Sequence, residues 1–152
     1  MLRGITALSL DAKGRMAIPS RYRAALCPAD AAQVVVTLDH RGRCLLLYPL
    51  PEWEQIERRL VALSSVDEGA YQLKQTLLGH ATDCDLDTQG RILLPAIHRQ
   101  LAGIERQVAL VGQGNKFEIW DEQAWAARRD AGIRAANQPG YQLPEALREL
   151  AF

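Results

Sequence analysis

Apolar and polar positions alternate in short runs along most of this chain, the period of half-buried strands, and switch to helical spacing in only a few stretches. Ile5, Ala7 or Leu8, and Leu10 alternate and predict a strand over residues 5–10. The turn Asp11-Ala-Lys-Gly14 follows. Asp at its first position can bond backbone amides, and Gly at its fourth suits a type I turn with the bulge that often follows. Arg15–Ile18 predicts a second strand, stopped by Pro19, which can itself start a short helix over Arg21–Leu26. Val34–Leu38 and Arg43–Tyr48 predict a hairpin around His40-Arg-Gly42. Trp53, Ile56, Leu60 and Leu63 mark one face of a helix. Residues 66–78, with Tyr71, Leu73, Leu77 and Leu78, predict a helical bridge.

The same grammar then returns. Residues 10–23 read LDAKGRMAIPSRYR and residues 86–99 read LDTQGRILLPAIHR, identical at six of 14 positions without a gap. Chance would give roughly one match. Further on, CLLLYPLPEW at 44–53 matches KFEIWDEQAW at 116–125, so Tyr48 and Trp53 answer Trp120 and Trp125. Strands are predicted at Arg91–Leu94, Gln107–Val111 and Lys116–Trp120, and a helix at Glu122–Ala136. The chain therefore divides into a first unit at 1–65, a helical bridge at 66–78, a second unit at 79–136 and a tail at 137–152. Leu143, Leu147 and Leu150 suggest a helix in that tail. Four short strands cannot close a core alone, but two copies can pack as a pseudo-dimer around a shared one. The expected fold is α+β with a small barrel-like sheet and flanking helices.

Composition narrows the function. The chain has 152 residues, 48% of them hydrophobic and 24% charged, with 18 basic and 18 acidic residues. Zero net charge excludes a generic polyanion binder, so any nucleic-acid contact must be a local patch. Fifteen of the 18 basic residues are Arg, the side chain suited to fork-shaped recognition of phosphate or guanine. No apolar run approaches the ~20 residues of a membrane helix, and the N-terminus lacks a signal-peptide pattern, so a cytoplasmic location is expected. Cys27, Cys44 and Cys84 are an odd set without C-x-x-C spacing and read as reduced core fillers.

The turn D-x-x-G-R occurs in both copies, at Asp11–Arg15 and Asp87–Arg91. Either the Asp pairs with the Arg four residues on, or it holds backbone amides and leaves the Arg free. A pre-oriented Arg on a tight turn can read phosphate or guanine. The plain alternative is a hairpin turn with a surface ion pair of little energetic weight. Charge separates the copies. Residues 1–23 carry Arg3, Lys13, Arg15, Arg21 and Arg23 against Asp11 alone, a net of +4. The second copy has Gln89 for Lys13 and adds Asp83 and Asp85. The first turn is therefore expected to be the main anion contact.

Together MLRG, LDAKGRMAIPSRYR, CLLLYPLPEWE, LLGHATDCDLDTQGRILLP and LVGQGNKFEIWDEQAW resemble the MraZ family, within the swapped-hairpin, AbrB-like superfamily of transcription regulators. The resemblance spans about residues 1–130. Gly114 departs from it, where relatives often carry a bulky residue, and Leu2 replaces a frequent Phe. The resemblance implies two tandem swapped-hairpin units. It also implies double-stranded DNA as partner, at spaced direct repeats upstream of the division and cell-wall gene cluster. Such proteins act as regulators, commonly repressors, and assemble into rings of about eight to twelve subunits. The DNA-contact turns carry over onto Arg15 and Arg91, with Asp11 and Asp87 as orienters and Gly14 and Gly90 shaping the turns. Lys13 and Arg3 are added from local charge. A nucleoid-associated protein without cofactor, metal or small-molecule substrate is expected.

Rival readings are weaker. The chain has no G-x-S-x-G, P-loop or H-E-x-x-H motif, so an enzyme is not expected. Gly112-Gln-Gly114 reads as a hairpin turn, because Phe117 stands where a dinucleotide fingerprint needs Gly. Asp83-Cys-Asp85-Leu-Asp87 fails as a calcium loop at Thr88 and Leu94 and reads as a solvated strand edge. His80 with Cys84, and His40 with Cys44, give two ligands each, too few for zinc. His98 aligns with Tyr22 and reads as a packed or surface aromatic. Arg128, Arg129 and Arg134 read as a solvated helix face. The main alternative is a ring-forming scaffold that uses both turns only for subunit contacts. A single-unit AbrB-like antitoxin does not account for the second copy.

Overall fold

A computed structural model describes residues 1–28 and 32–150, in two compact units, Met1–Glu122 and Gln123–Phe152. The order is β1 (Ile5–Ser9), β2 (Arg15–Ala17), α1 (Ser20–Leu26), β3 (Gln33–Leu38), β4 (Leu45–Pro49), α2 (Leu50–Ala62), α3 (Glu68–Leu77), β5 (Thr82–Asp85), β6 (Arg91–Leu93), α4 (Ala96–Leu101), β7 (Gln107–Gly112), β8 (Phe117–Asp121) and α5 (Glu122–Ala136). The class is α+β. Pro19, Pro49 and Pro95 each sit at the N-cap of α1, α2 and α4, with φ fixed near the value a helix start accepts.

The strands do not stay within their own copies. The main sheet is open and antiparallel, in the order β1-β7-β8-β4-β3-β5, and β2 and β6 form a second, two-stranded ladder. Thus β1 of the first copy pairs with β7 of the second, and β5 of the second pairs with β3 of the first. The central contact, β4 with β8, joins Leu45 to Ile119 and Leu47 to Phe117. Read from either end, the sheet has the same sequence of equivalent strands.

Burial follows from that exchange. Val34, Val36, Leu45, Leu47, Val108, Leu110, Phe117 and Ile119 face one core. The opposite face of the central strands is covered too. Thr37 Oγ1 donates to Leu77 O at 2.7 Å, and Tyr48 lies 5.6 Å from Trp53 of α2. This explains why β3 and β4 read as continuous apolar runs.

The β2–β6 ladder roofs the core. Each strand has three residues and turns one side chain inward. These are Met16 and Ile92, directly opposite each other and both fully buried. Each contributes about 2–3 kcal/mol of burial. Two main-chain bonds extend the ladder: Ile18 N–H donates to Gly90 O at 2.9 Å and Leu94 N–H to Gly14 O at 3.1 Å.

Two expectations shift. Ile5 is 55% exposed, while Leu8 is half-buried and Leu10 buried. The inward phase of β1 is therefore Thr6, Leu8 and Leu10, and Ile5 and Ala7 face out. In the tail, a single 3-10 turn forms, Glu145–Leu147, after Pro144. Pro139, Gly140 at φ +85° and Pro144 break any longer helix there. Residues 151–152 of that expected helix lie outside the described residues. The two departures at Leu2 and Gly114 meet: they form an isolated bridge through Leu2 N–H to Gly114 O at 2.8 Å and Gly114 N–H to Leu2 O at 2.7 Å.

The ladder should behave as a keystone. Ile92→Ala is expected to lower unfolding free energy by about 3 kcal/mol in urea titration. Leu93→Ala, at a side chain 54% exposed, should change it by less than about 0.5 kcal/mol. Equal effects at the two positions would contradict the ladder's place in the core.

Candidate nucleic-acid interface

Both D-x-x-G-R turns close alike. Gly14 N–H donates to Asp11 O and Asp11 N–H to Arg15 O, each at 3.0 Å, and the second turn repeats both bonds at 2.9 Å. The side chains divide their work. Asp11 Oδ1 accepts from the amides of Lys13 at 3.0 Å and Arg15 at 2.9 Å, and Oδ2 accepts from Arg15 Nε at 2.6 Å. Asp87 Oδ1 accepts from the amides of Gln89 and Arg91, and Oδ2 from Arg91 Nε, all at 2.9 Å. The sequence left open whether the Asp holds amides or guanidinium; its two oxygens do both. Each Arg is anchored through Nε, which leaves the outer Nη edge for bidentate contact.

These bonds favour the ionised carboxylate. The Arg15 amide holds the Asp11 carboxyl down at about 2, against desolvation, which raises it, and with help from the Arg15 side chain and the Lys13 amide. Asp87 is lowered in the same way, first by the Arg91 amide. Both carboxylates are therefore ionised above the ordinary carboxylate range, where Arg15 and Arg91 keep their partners.

The β2–β6 ladder brings the turns together. Arg15 pairs with Leu93 and Arg91 with Ala17, so the two Arg side chains share the ladder's outer face. Arg91 Nη1 lies 3.8 Å from Asp11 Oδ2, so one carboxylate serves both guanidinium groups. The site is a single locus with unequal halves, with Lys13 exposed at one tip and Gln89 at the other.

Arg23 and Arg99, the last identity of the repeat, complete it, although sequence alone assigns them no separate role. Arg23 Nε donates to Ile18 O at 3.0 Å and its Nη2 to Gln89 O, on the other copy's turn, at 3.1 Å. Arg99 Nε donates to Leu94 O at 3.1 Å. Its guanidinium lies on Gly14, where an added Cβ would come within 2.6 Å of Cζ. Arg23 lies on Gly90 in the same way. Gly14 and Gly90 are thus required twice over, by φ of +85° and +73° and by this close approach. Six identities at repeat spacing were the available signal; what hid the contact is that each Arg crosses to the opposite copy.

Arg3 does not join. It lies at the far end of β1, where Tyr22 Oη donates to Arg3 O at 2.7 Å. Arg21 is beside it, bonded to Thr6 Oγ1 at 2.7 Å and stacked 4.5 Å from the Tyr22 ring. The net positive charge of residues 1–23 is therefore split between two ends of the strand.

A third D-x-x-G-R was missed: Asp39-His-Arg-Gly42-Arg43. Asp39 Oδ2 accepts from the Arg41 amide at 3.3 Å and from Arg43 Nε at 3.1 Å. Burial pushes this carboxyl up, but Arg43, His40 and the Arg41 amide outweigh it and hold it below the ordinary range. The turn ends β3 at Leu38, whereas Asp87 follows the end of β5 that pairs with Gln33, so it stands at the opposite end of the sheet.

Other candidates resolve into packing. Cys44 and Cys84 are buried, Cys27 is half-buried, and all three are free. Burial raises every thiol, Cys84 to about 11, which disfavours the reactive thiolate. His98 is buried and its Nε2 bonds His80 O. Among the described residues no three metal-ligating side chains converge. Asp83 and Asp85 are exposed on the edge strand β5, and Arg128, Arg129 and Arg134 are exposed on α5. No helix among the described residues is long and apolar enough to cross a membrane.

Residues 1–75 and 77–135 match the model of the MraZ protein family, whose description adds "antitoxin-like". The chain belongs to the MraZ family. It is 49% identical over 152 residues to a transcriptional regulator MraZ of Halorhodospira halophila, covering 100% of both chains. It is 53% identical over 138 residues to that of Thioalkalivibrio sulfidiphilus, covering 91% of each. With that of Pseudomonas aeruginosa it shares 49% over 150 residues and 99% of each chain. Transcription regulation is the role that this family membership supports for the chain.

The Asp11 carboxyl offers a direct check on the turn. Its carboxyl carbon should titrate by NMR near pH 2. Because the folded value lies below the unfolded one, the stability it confers is present above about pH 4 and is lost as pH falls through about 2. In Arg15→Ala the midpoint should rise only in part, since the Arg15 amide remains. A wild-type midpoint at the ordinary carboxylate value would contradict the bonded turn.

Proposed function

We propose that this MraZ-family protein is a sequence-specific DNA-binding regulator, a repressor, whose reading element is the paired turn Asp11–Arg15 and Asp87–Arg91. It binds spaced direct repeats upstream of the division and cell-wall gene cluster as a ring of about eight to twelve copies, in the cytoplasm and at the nucleoid. One observation carries this reading: Arg15 and Arg91 stand on one face, each held at Nε by the Asp of its own turn and linked through Asp11, which lies 3.8 Å from Arg91 Nη1. Arg3 has no part in that element.

The exchanged strands support a swapped-hairpin pseudo-dimer with a barrel-like body. In that reading the chain is two units, 1–65 and 79–136, bridged by 66–78 and followed by a tail. A single pair of Arg turns gives a small contact. A ring repeats that contact, and direct repeats in DNA repeat its target, so linked binding multiplies affinity through effective concentration. The relatives' shared name supports a role in transcription.

Fluorescence anisotropy on a duplex from the region upstream of this protein's own gene, against a scrambled duplex, tests the reading. Wild type should prefer the upstream duplex, and the preference should weaken as salt rises. Arg15→Ala and Arg91→Ala should each remove most of that preference, at about 1–3 kcal/mol per lost base contact. Equal affinity for both duplexes, unchanged in the variants, would replace this function with a ring-forming scaffold.

A further inference from the structure

We infer that Arg23 and Arg99 are a second pair of DNA contacts, each forming a phosphate site with the turn of the opposite repeat. This rests on the DNA-binding reading above and adds to it a division of labour among four arginines.

The arrangement separates two kinds of guanidinium on one surface. Arg15 and Arg91 each have a carboxylate on Nε. Their charge is largely balanced and their direction fixed, as a base reader needs. Arg23 and Arg99 have no carboxylate partner among the described residues. Their acceptors are main-chain carbonyls: Ile18 O and Gln89 O for Arg23, and Leu94 O for Arg99. A guanidinium has five N–H donors, so most of Arg99's and several of Arg23's are left without an acceptor. Neither side chain is fully buried. Glu105 lines the same depression as Asp11 and Arg99 but forms no ion pair with the Arg. The four repeat arginines are thus set against the two turn carboxylates, both of which are bound to Arg15 and Arg91, and Arg23 and Arg99 are left without an ion pair among the described residues.

The placement suits a phosphate. Each of these Arg side chains lies flat on the turn glycine of the other copy, Arg99 on Gly14 and Arg23 on Gly90. Each therefore sits directly beside the backbone that carries a base-reading Arg. The equivalence of the two repeats makes the four groups a symmetric set, two with a carboxylate partner and two without. A duplex reached by Arg15 and Arg91 presents backbone phosphates on either side of the contacted bases.

The two roles predict different losses. On the upstream duplex and on a scrambled one, with full-length protein, Arg99→Gln and Arg23→Gln should each weaken binding by the same factor on both, about tenfold near physiological salt. The slope of log affinity against log salt should fall by about 1 per engaged subunit. Arg99→Lys, which keeps the charge, should retain the wild-type slope. A weaker affinity with an unchanged slope would overturn the phosphate role and leave Arg99 and Arg23 as supports of the turns. Wild-type protein gives an independent readout if a variant fails to fold. Arg23 and Arg99 should react with an arginine-selective dicarbonyl in free protein and be protected by duplex, as read by mass spectrometry. Absence of reaction in free protein, or reaction undiminished by bound duplex, would overturn the inference. Wild type that binds neither duplex would overturn the DNA-binding reading as well.

Discussion

The contact between Met16 and Ile92 is what the rest of the molecule depends on. Each belongs to a strand of three residues, too short to hold its place through its own hydrogen bonds. Placed directly opposite each other and sealed from water, the two side chains make one ladder from two fragments. Because each fragment begins at the Arg of a D-x-x-G-R turn, closing the core at this point necessarily sets the two turns side by side. Core packing and site geometry are here the same event: Asp11 can serve Arg91 only because Ile92 has found Met16.

The third D-x-x-G-R turn makes the point by contrast. Asp39 shares with the other two a bond to the amide two residues on and one to the Nε of the Arg four residues on, but both fall on Oδ2, and Oδ1 faces His40 instead of the amide four residues on. It stands alone at the other end of the sheet, its carboxylate buried and its Arg drawn over Trp120. The motif by itself is therefore a way of closing a hairpin, as the plain reading of the sequence allowed. What distinguishes Asp11–Arg15 and Asp87–Arg91 is the pairing that the repeat imposes on them, together with the cross-copy arginines that lie on Gly14 and Gly90.

Much of this was legible from residues. The repeat, the turn chemistry, the Pro starts of the short helices, the bridge helix and the bounds of α5 all follow local rules, and local rules are written in contiguous sequence. What failed to show depended on partners distant in the chain. Ile5 has the pattern of an inward residue, but the pairing of β1 with β7 and the burial of Leu10 fix the opposite phase. Arg23 and Arg99 were visible as identities, yet their role depends on carbonyls and glycines of the other copy. Arg3 was grouped with the turn by counting charge along the chain, where an extended strand holds the two ends apart.

That separation of charge bears on how a neutral protein can engage a polyanion. Charge summed over residues 1–23 overstates the turn, because Arg3 stands at the far end of β1 and Arg21 is bonded to Thr6 and stacked on Tyr22. Charge summed over both copies recovers it. Arg23 and Arg99 are separated by 76 positions in sequence and gathered on one face by strand exchange. A duplicated unit can therefore stay neutral overall and still concentrate positive charge, provided that the two copies trade strands rather than pack as separate bodies. Had each copy closed on itself, each would present one guanidinium with a balancing carboxylate and a second Arg with no opposing turn to lie on. Exchange across the β2–β6 ladder gathers the four repeat arginines around two turn carboxylates, where separate copies would hold two apiece.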